Sequence, residues 1–229
     1  MSPKQVYARK KQFGEAIGAR VLHRRFAEDA TEAEILAEIE ELNTDQTVHG
    51  IILQLPIPAH LNREKLLDAI ALEKDVDGLA VGSAFTPATA RGVLSLLQFY
   101  ETLIQGKRVA VLGRSALVGA PSADALRKAG AVVTVCHSGT PNTKGITRAS
   151  DIIVVAIGKP KFIGADYFRS DKTQVVVDVG ITSLADEGLV GDVDFKKVAP
   201  LVAAISPVPG GVGPMTVAAL FENLLSVLY

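Results

Sequence analysis

Two stretches of this 229-residue chain could bind a nucleotide. After the apolar run Arg108–Leu112 comes Gly113-Arg114-Ser115-Ala116-Leu117-Val118-Gly119-Ala120-Pro121, a glycine-bearing turn that leads into a helix. The glycines allow a tight turn and close approach of a ligand, and the first N–H groups of the helix are expected to be free for an anion. The pattern is not G-x-G-x-x-G, so a plain strand-to-helix turn is the competing explanation. The next apolar run ends at Cys136-His137-Ser138-Gly139-Thr140, where an NAD site would offer an acidic residue to the ribose 2′-hydroxyl. No acid stands there; Ser138 and Arg114 suit a 2′-phosphate instead, which favours NADP over NAD.

A second set of residues could handle protons. Tyr7 and Lys11 lie four apart in a helical stretch and share a face, although Arg9, Lys10 and Lys11 together also read as a solvated basic surface. Gln54 is an amide held between an apolar run and two prolines, Pro56 and Pro58. Asp75 and Asp77, in Lys74-Asp75-Val76-Asp77-Gly78, serve equally well as turn formers or as charged acceptors. His23, His49, His60 and His137 have no metal-ligand spacing, and the chain has neither a G-x-S-x-G elbow nor a Walker sequence. Residues 204–214, AISPVPGGVGP, form a stiff loop: proline fixes φ, and glycine lets backbone amides approach a planar ligand.

The elements that must position these residues alternate in type. Continuous apolar, β-branched runs at Gly50–Leu53, Arg108–Leu112, Val132–Val135, Asp151–Ala156, Gln174–Asp178 and Val202–Ile205 read as strands covered on both faces, as in a parallel sheet. Helices are expected from Thr31, whose T-x-x-E pattern is a capping box with Ile35, Ile39 and Leu42 on one face, and at Gly92–Leu103, Ala120–Lys128 and Met215–Leu228. The class is therefore α/β, with two lobes and a cleft between them. Lys107–Gly180 carries the densest strand–helix–strand signal. The composition is 48% hydrophobic and 21% charged, and 24 basic residues nearly balance 25 acidic ones, which argues against a nucleic-acid partner. A single cysteine, Cys136, excludes an intrachain disulfide and suits a reducing compartment, most simply the cytoplasm. No apolar run is long enough to cross a membrane.

Taken together, several stretches resemble one family, the bifunctional methylenetetrahydrofolate dehydrogenase/methenyltetrahydrofolate cyclohydrolases. They are Tyr7–Lys11, Gly50–Pro58, Lys74–Gly78, Thr86–Thr89, Gly113–Ser115 with Val118–Pro121, Cys136–Ser138, Asp178–Ile181, Gly191–Val193 and Pro207–Thr216, in the family's order over nearly the whole chain. The family has a further helix and strand ahead of the tyrosine, so the resemblance is to an N-terminally short member. The connection from Gly78 to Phe85 is also shorter than usual.

The resemblance implies a catalytic folate-binding domain over residues 1–84 plus 214–229 and a Rossmann-type, parallel-sheet NADP-binding domain over 85–213. It implies oxidation of 5,10-methylenetetrahydrofolate with NADP, then hydrolysis to 10-formyltetrahydrofolate, in the one-carbon metabolism that feeds purine biosynthesis. Lys11 matches the catalytic lysine, with Lys10 the alternative if the register is one residue shorter. Gln54 would hydrogen-bond that lysine, Asp77 would grip the pterin N–H groups, and Tyr7 would pack on the folate. Leu53, Leu55, Pro207, Gly210 and Gly211 would also line the substrate site. Gly113, Arg114, Ser115, Ser138 and Ile181 match cofactor-contacting positions. A homodimer formed through the NADP-binding lobes is implied as well. A folate- or nucleotide-binding chain without turnover, or a dehydrogenase without the hydrolytic step, is the competing expectation.

Overall fold

The computed structural model describes residues 3–228. The chain divides into two compact units, one formed by Thr89–Thr216 and the other by the residues up to Ala88 together with those from Val217 onward.

The Thr89–Thr216 unit is built on a five-stranded parallel sheet. Its strands are β1 (Arg108–Leu112), β2 (Val132–Cys136), β3 (Ile152–Val155), β4 (Val175–Asp178) and β7 (Ala204–Ile205), in the order β2-β1-β3-β4-β7. Alternate residues of each strand point to opposite faces. Val109, Val111, Ile152, Val154 and Val177 pack on one face with Val93, Leu97, Ala123 and Leu126. Ala110, Leu112, Ile153, Val155 and Val176 pack on the other with Ile163, Phe168, Val198 and Val202. Both faces are thus dry, and this is why the strands read as unbroken apolar runs rather than alternating ones. A separate antiparallel hairpin, β5 (Thr182–Leu184) and β6 (Gly188–Val190), follows β4.

Helices α5 (Gly119–Lys128) and α6 (Thr143–Ala149) connect β1 to β2 and β2 to β3, and the short α7 (Phe195–Val198) precedes β7. α4 (Ala88–Phe99) starts and stops earlier than the expected Gly92–Leu103. Its end is set by Glu101, whose φ of 52° lets the Thr102 N–H turn back to the Leu97 carbonyl at 2.9 Å. α8 (Val212–Leu228) starts three residues before the expected Met215. Pro214 falls in its first turn, where a helix needs no N–H donor.

The other unit contains α1 (Pro3–Ala16), α2 (Glu32–Thr44) and α3 (Arg63–Asp68), with the later part of α8. The capping box forms as expected: the Glu34 N–H donates to Thr31 Oγ1 at 3.3 Å, and the Thr31 N–H donates to Glu34 Oε2 at 2.7 Å. Ile35, Ile39, Ile51, Leu66 and Ile70 make this unit's core. The strand expected at Gly50–Leu53 is reduced to a single bridge, Ile51 to Asp75. Pairing cannot extend because the chain turns on itself at Asp75 on one side and enters Pro56 and Pro58 on the other.

A buried amide network ties the Thr89–Thr216 unit together. Gln174 is fully buried; its Oε1 accepts from the Arg169 N–H at 2.7 Å, and its Nε2 donates to the Thr147 and Ser150 carbonyls, each at 2.8 Å. Gln174→Ala leaves the Arg169 N–H unpaired, while the Thr147 and Ser150 carbonyls keep the Ser150 N–H and Arg169 Nη1 as donors, and is expected to cost about 2 kcal/mol or more in urea unfolding. A loss below about 1 kcal/mol would show the network to be dispensable.

Candidate functional site

α1 carries both lysines, but only one faces the interior of its unit. Lys10 Nζ donates to Gln54 Oε1 at 2.9 Å, whereas Lys11 Nζ sits 3.6 Å from Glu15 with both side chains about half exposed. The expected hydrogen bond from Gln54 to Lys11 is therefore corrected: Lys10, the alternative register, stands by Gln54, and Lys11 forms an i,i+4 pair along the helix surface. Tyr7 is three residues from Lys10 and four from Lys11, so both spacings put a lysine beside the tyrosine. The tyrosine ring stacks on His23, with ring centroids 4.2 Å apart and planes 25° apart. Nothing in the sequence pointed to His23, because the stacking joins a helix to an irregular segment.

Gln54 is oriented by its own backbone. Its Nε2 donates to the Leu55 carbonyl at 2.7 Å, which leaves Oε1 to accept from Lys10. Leu53 packs against the core of Ile35, Ile39, Ile51, Leu66 and Ile70, and Leu55 is half-buried.

The Lys74–Gly78 stretch separates into three tasks. Lys74, 8% exposed, sends its ammonium into the end of α2 and donates to the Leu42, Asn43 and Asp45 carbonyls at 3.0, 2.6 and 2.8 Å. Asp75 is a turn former: its two carboxylate oxygens accept from the Gly78 and Ala80 N–H groups at 3.1 and 2.9 Å. Asp77 is left to face Lys10. Burial pushes the Asp77 carboxyl up to about 6, opposed by attraction to Lys10 and reinforced by Asp75. Burial also lowers the Lys10 ammonium from its ordinary range, partly offset by the Asp77 charge. An amine and a carboxyl are thereby brought closer to neutral pH on the same side of one unit, as proton transfer requires.

In the Thr89–Thr216 unit, the expected cofactor residues and the three expected substrate residues of the proline-glycine loop all follow strand ends. Gly113, Arg114 and Ser115 come after β1, Ser138 after β2, Ile181 after β4, and Pro207, Gly210 and Gly211 after β7. They lie on the carboxyl edge of the sheet, where β1 stands between β2 and β3 and the chain reverses its direction of winding. Gly113 has φ of 112°, and a Cβ there would lie 2.0 Å from the Ala156 carbonyl oxygen. Only glycine fits, so the β1 turn closes directly onto the end of β3. The Gly113 N–H donates to the Cys136 carbonyl at 2.8 Å, which joins the β1 turn to the segment carrying Ser138. Arg114 and Ser138 are both exposed, and Ile181 is 51% exposed. Gly211 is buried and donates its N–H to the Pro207 carbonyl at 2.9 Å, closing the proline-glycine loop on itself.

One expectation fails here. The first turn of α5 has no free N–H to offer an anion. The Gly119 N–H donates to Ser115 Oγ at 3.3 Å, those of Ala120 and Ser122 donate to the Ser115 and Val118 carbonyls at 3.0 Å each, and Pro121 has none. Ser115 Oγ takes up the first helical N–H, and the side chains that stay exposed beside this turn are those of Arg114 and Ser138. Among the described residues no group of three His, Cys, Asp or Glu is placed to hold a metal ion, and no helix is long and apolar enough to cross a membrane.

Known proteins share this arrangement. A family model for the tetrahydrofolate dehydrogenase/cyclohydrolase catalytic domain matches residues 2–77, and one for the NAD(P)-binding domain of the same family matches residues 87–229. The bifunctional protein FolD of Agathobacter rectalis is 45% identical over 97% of this chain and 83% of its own length. That of Campylobacter concisus is 46% identical over 96% of this chain and 81% of its own. The crystal structure of the bifunctional enzyme FolD, a methylenetetrahydrofolate dehydrogenase/cyclohydrolase from Campylobacter jejuni, matches with a TM-score of 0.92 at 41% identity, covering 99% of this chain and 84% of that one. The Trypanosoma brucei methylenetetrahydrofolate dehydrogenase-cyclohydrolase, solved with NADP and an inhibitor, matches with a TM-score of 0.91 at 36% identity, covering 99% of this chain and 82% of that one.

The raised Asp77 carboxyl has a thermodynamic signature. A carboxyl that titrates near 6 when folded and near its ordinary value of 3.8 when unfolded binds the proton more tightly in the folded state. Its contribution to stability is full below pH 4 and is lost as pH rises through 6, a difference on the order of 3 kcal/mol. Asp77→Asn should therefore gain stability relative to wild type across this window and hold the gain above pH 7, as read by urea unfolding. A difference that does not change between pH 4 and 7 would count against the shift.

Proposed function

The chain belongs to the tetrahydrofolate dehydrogenase/cyclohydrolase family, and from that premise we propose that it oxidises 5,10-methylenetetrahydrofolate with NADP and hydrolyses the 5,10-methenyl product to 10-formyltetrahydrofolate. The observation that carries this reading is the group formed by Lys10, Gln54 and Asp77, in a unit matched by the family's catalytic domain.

NADP, when bound, accepts the hydride that leaves the methylene carbon. The residues present fit it. Gly113 leaves room where any side chain would collide with Ala156, Arg114 and Ser138 supply a cation and a hydroxyl for a 2′-phosphate, and no carboxylate stands in the Cys136–Thr140 segment to repel one. Ile181, half exposed after β4, offers an apolar contact surface beside them in the same set of loops.

In the hydrolytic step, water adds to the methenyl carbon and loses a proton; the C–N5 bond then breaks as N5 gains a proton and the new hydroxyl gives up its own to become the formyl C=O, so one proton leaves to solvent for each cation hydrolysed. Lys10 is suited to both transfers. As the amine it takes the proton from the attacking water, and as the ammonium it returns a proton to departing N5. Burial favours the amine, and the Gln54 oxygen fixes the direction of Nζ by accepting one of its hydrogens. Asp77 accepts from the pterin N–H groups and keeps the Lys10 charge from being driven too far down. Tyr7, Leu53 and Leu55 supply packing for the folate.

This reading places the chain in one-carbon metabolism, upstream of purine biosynthesis, in the cytoplasm and without a nucleic-acid partner. The single buried thiol and the near balance of charge support this placement. Self-association through the NAD(P)-binding unit is supported by Phe99, Tyr100, Leu103 and Val132, which are 76, 71, 63 and 61% exposed. Sedimentation of the purified chain should give the mass of a homodimer and cell fractionation a cytoplasmic protein; a single-chain mass or a membrane-bound fraction overturns the corresponding statement.

The decisive experiment follows both activities. Wild-type chain given methylenetetrahydrofolate and NADP should form NADPH and then consume the methenyl absorbance. Methenyl accumulation without decay would reveal a dehydrogenase alone, and no turnover by folded chain would reveal a binding protein. Lys10→Met is expected to slow methenyl hydrolysis by about 100-fold or more, and Lys11→Ala to leave it within about twofold. The reverse pattern would restore Lys11 as the catalytic residue.

A further inference from the structure

Two buried carboxylates have no part in the chemistry above. Asp178 ends β4 and Asp192 follows β6; they are 4% and 0% exposed. Asp178 Oδ1 accepts from the Gly180 and Asp192 N–H groups at 3.0 and 3.1 Å, and its Oδ2 accepts from the Val193 N–H at 2.9 Å. Asp192 Oδ2 accepts from the Ile157 and Gly158 N–H groups at 2.7 and 2.8 Å. Its Oδ1 is buried with no hydrogen-bond partner among the described residues. Gly180 makes the room: a Cβ there would lie 2.2 Å from Asp192 Cγ.

The two carboxylates join three loops on one edge of the sheet. Asp178 holds the segment after β6 to the end of β4, and Asp192 holds that segment to the turn after β3. In a planar trans peptide the N–H and C=O point in opposite directions. With the Ile157 and Gly158 N–H groups aimed at Asp192, the Ala156 and Ile157 carbonyls must point away from it. The Ala156 oxygen does: it is the atom on which Gly113 closes. Asp192 therefore sets the direction of the peptides that shape the β1 turn.

Holding a loop does not by itself call for a charge. Burial pushes both carboxyls above their ordinary range, Asp178 to about 6, and Asp192 Oδ1 goes without a donor. These are costs to stability that a neutral clamp would avoid. A charged acceptor orients the dipoles of the two amides more firmly than a neutral one. Gly113 and Ile181, both matched to cofactor contacts, are joined through this system: Gly113 by Ala156, and Ile181 by Gly180, whose N–H Asp178 holds.

We propose that Asp192 is a positioning residue for cofactor binding, which fixes the backbone after β3 so that the Gly113 turn keeps the shape NADP needs, and that Asp178 fixes Asp192. The proposal rests on the oxidoreductase reading, and the experiment separates the two. NADP affinity of the full chain is measured by calorimetry, and methenyl hydrolysis is measured with methenyltetrahydrofolate supplied directly and no NADP present. Asp192→Ala leaves the two amides unpaired and should weaken NADP binding at least about tenfold while changing methenyl hydrolysis less than about twofold. Asp192→Asn keeps an acceptor oxygen but loses the charge, and should bind NADP more tightly than Asp192→Ala and more weakly than wild type. A wild-type chain that binds no NADP overturns the oxidoreductase reading. Normal wild-type binding overturns only the positioning role if Asp192→Ala also binds normally, or if it loses affinity and hydrolysis together. Hydrogen exchange on the wild-type chain tests the clamp independently of any variant's folding. The Ile157 and Gly158 amides should exchange slowly, and exchange as fast as an open loop overturns the clamp.

Discussion

The parallel sheet of the Thr89–Thr216 unit must be covered on both faces, and the rest of that unit follows from this. Parallel neighbours cannot be joined by a tight hairpin, so each pair needs a crossover that runs over one face. α5 and α6 provide two of these. Every crossover begins at a carboxyl strand end, so Gly113–Ser115, Ser138 and Ile181 fall on the same edge although they are far apart in the chain. The apolar interior that results, with β3 buried along its whole length, makes that edge rigid enough for single atoms to matter. The close approach of Gly113 to the Ala156 oxygen is possible because glycine has no Cβ, and in so rigid a frame any side chain there would collide.

Among its described residues the other unit reaches a defined arrangement without a sheet. It has one bridge between Ile51 and Asp75, and a core of aliphatic side chains under α2 and α3. Order near Gln54 and Asp77 comes instead from side chains that hydrogen-bond to backbone: Lys74 on the end of α2, Asp75 across its own turn, and Gln54 on the Leu55 carbonyl. Proton handling there depends on partial burial. Lys10 and Asp77 are each shifted by the loss of water around them, and each limits the other's shift.

The strands of the large sheet were legible because Val109–Leu112, Ile152–Val155 and Val175–Val177 are apolar at every position, a pattern that few other structures produce. The capping box at Thr31 was legible for a similar reason, since donor and acceptor lie within one helical turn. What depends on distant partners was not. Lys10 and Lys11 are equivalent along α1, and the choice between them rests on Gln54, 44 residues away. Asp75 and Asp77 look alike in sequence; they differ only in whether backbone amides reach them. The first turn of α5 appeared open until Ser115 folded back over it, and Gly50–Leu53 lacked a partner long enough to make it a strand.

Lys74 carries a further consequence. Its ammonium fastens the loop bearing Asp77 to the last carbonyls of α2, and α2 is anchored at its opposite end by Thr31 and Glu34 on the surface of the unit. The reference frame for Asp77 is therefore a whole helix, about three and a half turns of backbone long, rather than the turn in which the residue sits. Small errors in the loop are averaged against a stiff rod, whereas a tilt of that rod would be delivered undiminished to the carboxylate. Tolerance to change in this unit should accordingly follow leverage along α2 more closely than distance from Lys10.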